Sequence, residues 1–221
     1  MLAEQWPFFN LRVTTPRVEL RYPTDDDLAR IVALVSEPIH DRDFMPFSVP
    51  WTRVPAPRRE REALQWWWRS RTDFTTAEWR LHFGVWVDGE PVGVQDVSAH
   101  EFPVTRSVTT GSWIVQRRHG EGIGKEMRAA VLHLAFAGLE ARDAHTSAFF
   151  DNAPSLGVTR SLGYLPNGSR IDEREGQPAR HNLFVLPRAV WEQRRRDDIT
   201  IDGLTACLDP LGLGEDDGHT R

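Results

Sequence analysis

One short segment, residues 113–125, constrains the fold of this chain more than any other. It passes from a stretch with strand character into a helical pattern through three glycines at alternate positions, Gly120, Gly122 and Gly124. Glycine has no Cβ, so the backbone of such a turn can approach an anion closely, and the start of a helix adds unpaired N–H groups and a partial positive charge. The segment therefore predicts a phosphate-binding turn at a strand-to-helix junction.

Other interpretations of this turn fit less well. A P-loop would require glycine where His119 stands and serine or threonine where Glu126 stands, and the glycine spacing of a dinucleotide-binding fold is absent. The remaining alternative is that the glycines only permit a tight turn. The strand before the turn and the helix after it favour the phosphate site.

Strand and helix signals alternate on both sides of the turn. Apolar alternation predicts strands at 18–20, 81–87, 92–94, 108–115, 144–150 and 183–186, with another extended piece starting at Tyr164. Helical spacing and capping residues predict helices at 24–35, 58–71, 121–139, 154–162 and 187–196. Three adjacent tryptophans, Trp66 to Trp68, must fan around their helix at ~100° per residue, so they cannot all be buried on one face.

Composition indicates a globular protein, with 40% hydrophobic residues, nine Trp and eleven Phe among 221 residues. The single cysteine, Cys207, excludes an intramolecular disulfide, and we expect no structural metal. A net charge of -5 argues against a nucleic-acid partner. Because no stretch approaches the ~20 apolar residues of a membrane span, we expect no membrane association and a cytoplasmic location.

We expect one main domain at 1–197, with an aromatic loop and helix inserted at 44–74. A C-terminal extension at 198–213 could add a strand, and the acidic tail at 214–221 is predicted to be disordered. The insertion and the extension could cover a sheet edge or form a contact between subunits. A homodimer is therefore expected.

Two motifs carry a family resemblance. The pattern Arg117-x-x-Gly120-x-Gly122 resembles the Q/R-x-x-G-x-G/A signature of the GCN5-related N-acetyltransferases (GNAT), and it stands at the strand-to-helix junction where that family has it. The segment 151–155, followed by Val158 and by Leu-Gly-Tyr at 162–164, is similar to the subgroup that acts on ribosomal-protein N-termini. Residues 45–52 are similar to an actinobacterial branch of that subgroup, some members of which are described as possible succinyltransferases.

The resemblance implies an α/β (α+β) GNAT fold, a mixed and mostly antiparallel sheet of about six to seven strands, flanked by helices and splayed at an acyl-CoA site. It implies direct transfer of an acyl group from acetyl-CoA or another acyl-CoA to the amine of a small molecule or a protein. The backbone N–H of Val115 or a neighbour would hold the pantetheine and polarise the thioester, and the amides of Gly120, Gly122, Gly124 and Lys125 would hold the pyrophosphate. The full set of implied acyl-CoA contacts is Ile114, Val115, Arg117, Arg118, His119, Gly120, Glu121, Gly122, Ile123, Gly124, Lys125, Asn152 and Ser155.

The catalytic residues are less well defined by the sequence. Ser155 would protonate the departing thiolate, although it could instead cap the helix that it helps to start. Relatives often carry an acidic residue where this chain has Thr109. The remaining candidates for the general base are Asp96, His100 and Glu101, which could also be ordinary solvated charges.

Three other functions remain open from the sequence. The donor could be succinyl-CoA, which would require an Arg, Lys or hydroxyl cluster around the acyl end. The protein could be a non-catalytic acyl-CoA sensor, which the missing acid at Thr109 would favour. A site for aromatic ligands at Trp66 to Trp68 would leave both motifs unexplained and ranks last.

Overall fold

The structure, a computed structural model, describes residues 2–214 and is built on one sheet of nine strands in the order β7-β8-β6-β5-β4-β3-β2-β1-β9. The strands are β1 Arg12–Thr14, β2 Glu19–Arg21, β3 Glu78–Val87, β4 Glu90–His100, β5 Ser107–Ile114, β6 Asp143–Phe149, β7 Leu165–Arg174, β8 Gln177–Pro187 and β9 Thr200–Asp202. Neighbouring strands run antiparallel, except that β5 and β6 are parallel within the described residues. The predicted mixed, mostly antiparallel sheet is confirmed.

Helices cover both faces of the sheet. They are α1 Leu2–Gln5, α2 Asp25–Ala33, α3 Arg58–Thr72, α4 Phe102–Thr105, α5 Ile123–His133, α6 Ala153–Ser161 and α7 Arg188–Glu192. The larger core surrounds α5, and a smaller one joins α2 and α3 to Trp86 and Val94 on the opposite face. None of the helices within residues 2–214 is long and apolar enough to cross a membrane.

The predicted number of strands was too low, since the sheet has nine instead of six to seven. β1 has three residues, which is too short for alternation to be recognised. β7 extends to Arg174 and is exposed along most of its length, so the sequence indicates only its start near Tyr164. At the opposite edge β9, within the extension at 198–213, pairs with β1. The predicted disordered tail, apart from Gly214, lies outside the described residues.

Local signals fix several helix ends. Thr24 and Asp27 form the predicted capping box at the start of α2. The helix predicted at 121–139 begins later, at Ile123, because Gly122 is its N-cap with φ +82°. Its last turn, Leu134–Gly138, has π-helical geometry. In α3, Trp67 is buried while Trp66 and Trp68 are 43% and 45% exposed, as the helical spacing predicts.

The parallel pair β5 and β6 is joined over only part of its length. Ser107, Val108 and Thr109 pair with residues 143–145, and no rung of the ladder follows within the described residues. Beyond Thr109 each strand continues to pair only with its outer neighbour, β4 or β8. The sheet is therefore splayed between β5 and β6, as expected from the resemblance.

Candidate active site

A buried arginine lies across the α5 side of the gap between β5 and β6. Arg128, 5% exposed, donates to Ser112 Oγ of β5 at 2.9 Å and to Thr146 Oγ1 of β6 at 3.2 Å. Thr146 in turn donates to the backbone carbonyl of Thr110 at 3.2 Å. No carboxylate lies within 4.0 Å of the guanidinium among residues 2–214, and its Nε has no hydrogen-bond partner there. The gap thus has a cationic, hydroxyl-rich wall.

The backbone donor expected from Val115 is not free. Its N–H donates to the carbonyl of Val92 at 2.9 Å, so it faces β4 instead of the gap. Since successive residues of a strand direct their N–H groups to opposite neighbours, the N–H of Ile114 points toward β6. Ile114 replaces Val115 as the backbone donor at the gap.

The glycine turn presents a row of unpaired amides. Within the described residues, the N–H groups at 120–124 have no hydrogen-bond acceptor. Gly120 and Gly122 both have φ +82°, a conformation that side chains disfavour, and a Cβ at Gly120 would face open space. Lys125, expected to contribute its amide, donates it to the carbonyl of Gly122 at 3.1 Å. Five consecutive amides therefore form a concave donor surface suited to a phosphate.

Charged side chains around the turn are mostly paired with one another. Arg117 Nε donates to Glu37 at 2.7 Å, and Arg118 Nε donates to Glu121 at 3.0 Å. The ring of His119 contacts the carbonyl of Ile114 at 3.2 Å. These contacts hold the turn against the end of β5.

Glu126 and Arg17 connect the start of α5 to the glycine turn, and the sequence analysis did not predict these roles. Glu126, buried in the first turn of α5, accepts from Thr15 Oγ1 at 2.7 Å and from Arg17 Nε at 2.8 Å. Arg17 also donates to the carbonyl of Glu121 at 3.1 Å. Burial alone would raise the pKa of Glu126, but the hydrogen bonds from Thr15 and Arg17 outweigh it and the pKa is lowered. The carboxylate is therefore charged and links the segment after β1 to the glycine turn.

The Asn-x-x-Ser segment follows the end of β6. Asn152 is the N-cap of α6, and its Oδ1 accepts from the backbone N–H of Ser155 at 3.2 Å. The capping side chain is thus Asn152, and the Ser155 hydroxyl has no hydrogen-bond partner in residues 2–214. Ser155 remains a candidate for protonating a leaving group at this side of the gap.

The three candidate bases lie in different places. Asp96 of β4 is directly opposite Gly111, and its Oδ1 accepts the Gly111 N–H at 3.0 Å, two residues beyond the last rung between β5 and β6. Its side chain is 13% exposed and lies 3.8 Å from Arg80. Burial raises the pKa of Asp96, although Arg80 and the Gly111 amide favour the charged form. Of the three, the structure brings Asp96 to the gap.

His100 and Glu101 lie at the other end of the same region. His100 is four residues further along β4, about 13 Å away at ~3.3 Å per residue. Glu101 follows it in the left-handed conformation, with φ +48°. The structure does not place either beside the splayed part of β5.

The aromatic loop and the β7–β8 hairpin meet near the gap. Trp51 of the loop contacts Trp113 of β5, with ring centroids 5.6 Å apart. Arg53 Nε donates to Glu175, in the hairpin turn, at 2.7 Å. Arg174, the residue before Glu175, donates to both carboxylate oxygens of Asp151 at 2.8 Å, where β6 passes into α6. These contacts enclose the sheet face that carries Asp96 and Trp113.

The described part of the chain has no group of three His, Cys, Asp or Glu side chains suited to a metal ion.

The fold and the glycine turn agree with a known family. Residues 17–165 match the family described as the acetyltransferase (GNAT) domain. The chain belongs to this family. It is accordingly an N-acyltransferase of the GNAT fold that uses a CoA thioester, as the two sequence motifs predicted.

Several solved structures share the fold of this GNAT protein. Mycobacterium smegmatis RimJ in complex with CoA-disulfide is 20% identical, with a TM-score of 0.66, 94% of this chain and 97% of RimJ covered. RimL, named as a ribosomal L7/L12 alpha-N-protein acetyltransferase and solved with coenzyme A, is 17% identical, with a TM-score of 0.63 and coverages of 78% and 95%. A GCN5-related N-acetyltransferase from Brucella melitensis is 18% identical, with a TM-score of 0.64 and coverages of 82% and 80%. None of these names indicates a succinyltransferase.

Proposed function

We propose that this protein transfers an acetyl group from acetyl-CoA directly to a primary amine, and that the amine is the α-amine of a peptide. The observation that carries the proposal is the row of five unpaired amides at 120–124, next to a gap between two parallel strands. The amides would bind the pyrophosphate, and the gap would admit the pantetheine arm. The name of RimL, an alpha-N-protein acetyltransferase, supports the choice of acceptor.

The gap supplies donors at the reacting end. The Ile114 N–H would hydrogen-bond to the pantetheine or the thioester oxygen. The side chain of Asn152 is already partly engaged as the cap of α6. In this assignment Val115 contributes packing, since its amide is already paired. Fixed donors of this kind stabilise the oxyanion that forms during acyl transfer.

Asp96 is the base in this proposal. The attacking amine must be neutral, and Asp96 is the candidate carboxylate that lies beside the start of the gap. Relatives often carry this acid at the position of Thr109 on β5. In this chain Asp96, on the neighbouring strand β4, would supply it. Its presence weakens the case for a non-catalytic sensor, which rested on the missing acid.

The reaction balances with these groups. The amine nitrogen forms a bond to the thioester carbon while its proton passes to Asp96, directly or through water. The tetrahedral intermediate then collapses and the carbon–sulfur bond breaks. The thiolate takes the Ser155 hydroxyl proton while the proton held on Asp96 replaces it through water, so both side chains return to their starting states. The products are an amide and free CoA.

Calorimetric titration with acetyl-CoA tests the cofactor site. Gly120→Trp should weaken binding at least tenfold, because the side chain would fill the space in front of the amides. Gly176→Trp is a matched control, since Gly176 has nearly the same φ, +81° against +82°, and equal open space in the β7–β8 turn. Equal losses in both variants would show that backbone strain, and not the turn, decides binding.

Steady-state kinetics test the base. Asp96→Asn should lower kcat by about 10²- to 10⁴-fold, which is the usual contribution of a general base, with acetyl-CoA affinity unchanged. Because burial raises the pKa of Asp96, activity should rise with pH through a value above that of an ordinary aspartate. Full activity in Asp96→Asn would exclude this residue as the base.

A donor with a carboxylate-terminated acyl group, such as succinyl-CoA, is a second candidate, and Arg128 favours it. A buried guanidinium with no carboxylate within 4.0 Å among the described residues is costly, since only the more distant Asp96 offsets its charge, and an acyl carboxylate at the closed end of the gap would neutralise it. Competition between acetyl-CoA and succinyl-CoA tests this. If succinyl-CoA is preferred, Arg128→Met should remove the preference; if acetyl-CoA is preferred by the wild type, this second candidate is wrong.

A further inference from the structure

A cleft of about 670 Å³ lies on the α3 side of the sheet, next to Asp96, and no role has been assigned to it. Its floor is formed by the exposed faces of β3, β4 and β5, and its wall by α3. Trp66 lies on the wall, and the floor includes His82, Arg80, Ser98 and Thr109. Arg80 lies 3.8 Å from Asp96, so the carboxylate lies just behind the inner end of the cleft.

The cleft is elongated along the strands. From the row of His82 and Asp96 it extends to Glu78 and His100, four residues further along each strand. At ~3.3 Å per residue this is about 13 Å, the length of roughly four residues of extended peptide. The glycine turn follows the opposite end of β5. A cofactor and an extended acceptor could thus approach Asp96 from opposite ends.

Charges along the cleft are balanced. Arg69 and Arg80 are offset by Asp73 and Glu78, and Asp96 lies at the inner end. A polyamine would require a surplus of carboxylates along its whole length. A chain with one amine at its tip and neutral side chains fits this distribution.

His82 is unusual among the floor residues. It is 1% exposed, its ring lies 3.9 Å from that of Trp66, and neither ring nitrogen has a hydrogen-bond partner in residues 2–214. Burial lowers its pKa well below the ordinary value, so the ring is neutral, with one donor and one acceptor. Within the described residues both nitrogens are closed off from the cleft as well as from partners, so the ring supports Trp66 as a neutral aromatic group.

We propose that this cleft binds the first residues of a peptide acceptor, with the α-amine at Asp96 and the following neutral residues against Trp66 and His82. The inference rests on the proposed amine acetylation and adds to it the acceptor's path and length. Trp66 supplies a flat apolar surface for the peptide, and the neutral ring of His82 supports it from the floor.

Thiol release from acetyl-CoA measures the effect, with N-terminally free peptide amides of one to six neutral residues and with spermidine as the polyamine probe. In the wild type, kcat/KM should rise with peptide length to about four residues and then level off. Trp66→Ala should raise the KM of the tetrapeptide at least tenfold and remove the dependence on length, with the KM for acetyl-CoA unchanged. His82→Phe, which keeps a ring beside Trp66, should leave the peptide KM within twofold of the wild type without lowering Tm.

Trp68→Ala is the matched control, because Trp68 is as exposed as Trp66 on the same helix but does not line the cleft. Its kinetic constants should stay within twofold of the wild type. Equal effects of Trp66→Ala and Trp68→Ala, no dependence on length, or a preference for spermidine would each overturn the inference while leaving acetyl transfer intact. Failure of acetyl-CoA to bind in calorimetry would instead refute the proposed function itself.

Discussion

Glu126→Ala tests how the glycine turn is held in place. The Glu126 side chain is 7% exposed and its two oxygens accept from Thr15 and Arg17. A hydrogen bond to a buried charged group contributes about 1.5–3 kcal/mol. Arg17 is 55% exposed, so its share must be reduced for screening by solvent. Together we expect a loss of about 2–3 kcal/mol.

The loss is measurable by thermal and denaturant unfolding. For a chain of this size, about 2–3 kcal/mol corresponds to a decrease in Tm of roughly 5–10 °C. Because the pKa of Glu126 is lowered in the folded state, its contribution is present above the pKa of an unfolded glutamate and is lost as pH falls through the folded value. The difference in stability between wild type and Glu126→Ala should therefore shrink in acid.

The matched control is Glu62→Ala, which removes an exposed ion pair with Arg58 on α3. It should cost at most about 0.5 kcal/mol. Since Arg17 also holds the carbonyl of Glu121, Glu126→Ala should in addition raise the KM for acetyl-CoA. If Glu126→Ala is no more destabilising than Glu62→Ala, or if the difference persists unchanged in acid, the reasoning about this buried carboxylate is wrong.

Three further predictions concern other parts of the chain. Thr24→Ala removes the capping box of α2 and should cost about 1 kcal/mol in urea unfolding; no change would show that the cap is dispensable. Cys207 is fully buried, and burial raises its pKa to about 12, so it should resist iodoacetamide at pH 8 until the protein unfolds; rapid labelling of the folded protein would contradict this. Arg53→Ala removes the contact with Glu175, so chymotrypsin should cleave the aromatic loop faster at unchanged Tm; equal cleavage rates would show that the pair does not hold the loop.

Part of the site could be predicted because its chemistry is local. Three alternating glycines between a strand and a helix determine where free amides occur, and Asn152 caps the helix that begins one residue later. Neighbouring residues along the chain decide both features, so the sequence motif is sufficient. The long hairpin of β3 and β4 and the capping box at Thr24 were predictable for the same reason.

Sequence reasoning failed where a residue's role depends on distant partners. Arg128 is charged, but apolar residues surround it on α5, at Met127 and from Ala129 to Leu132, and this nearly continuous apolar run was the available signal that its guanidinium would lie inside. Nothing local indicated that Glu126 would be held by Thr15 and Arg17, more than 100 residues earlier. Likewise, the sequence left the backbone donor at the gap as Val115 or a neighbour, because strand alternation can be predicted while its direction cannot.

The sequence by itself determined the family, the glycine turn and the order of helices and strands, since each depends on backbone preferences and spacing within a few residues. Only the tertiary structure decided which of Asp96, His100 and Glu101 lies at the gap, because β4 extends past the site and the pairing of Asp96 with Gly111 is set by the register with β5. It also decided that Trp66 faces a cleft while Trp68 does not, although the two differ by only two positions on one helix. Strand register and helix rotation are fixed by packing across the whole sheet, which no single segment encodes.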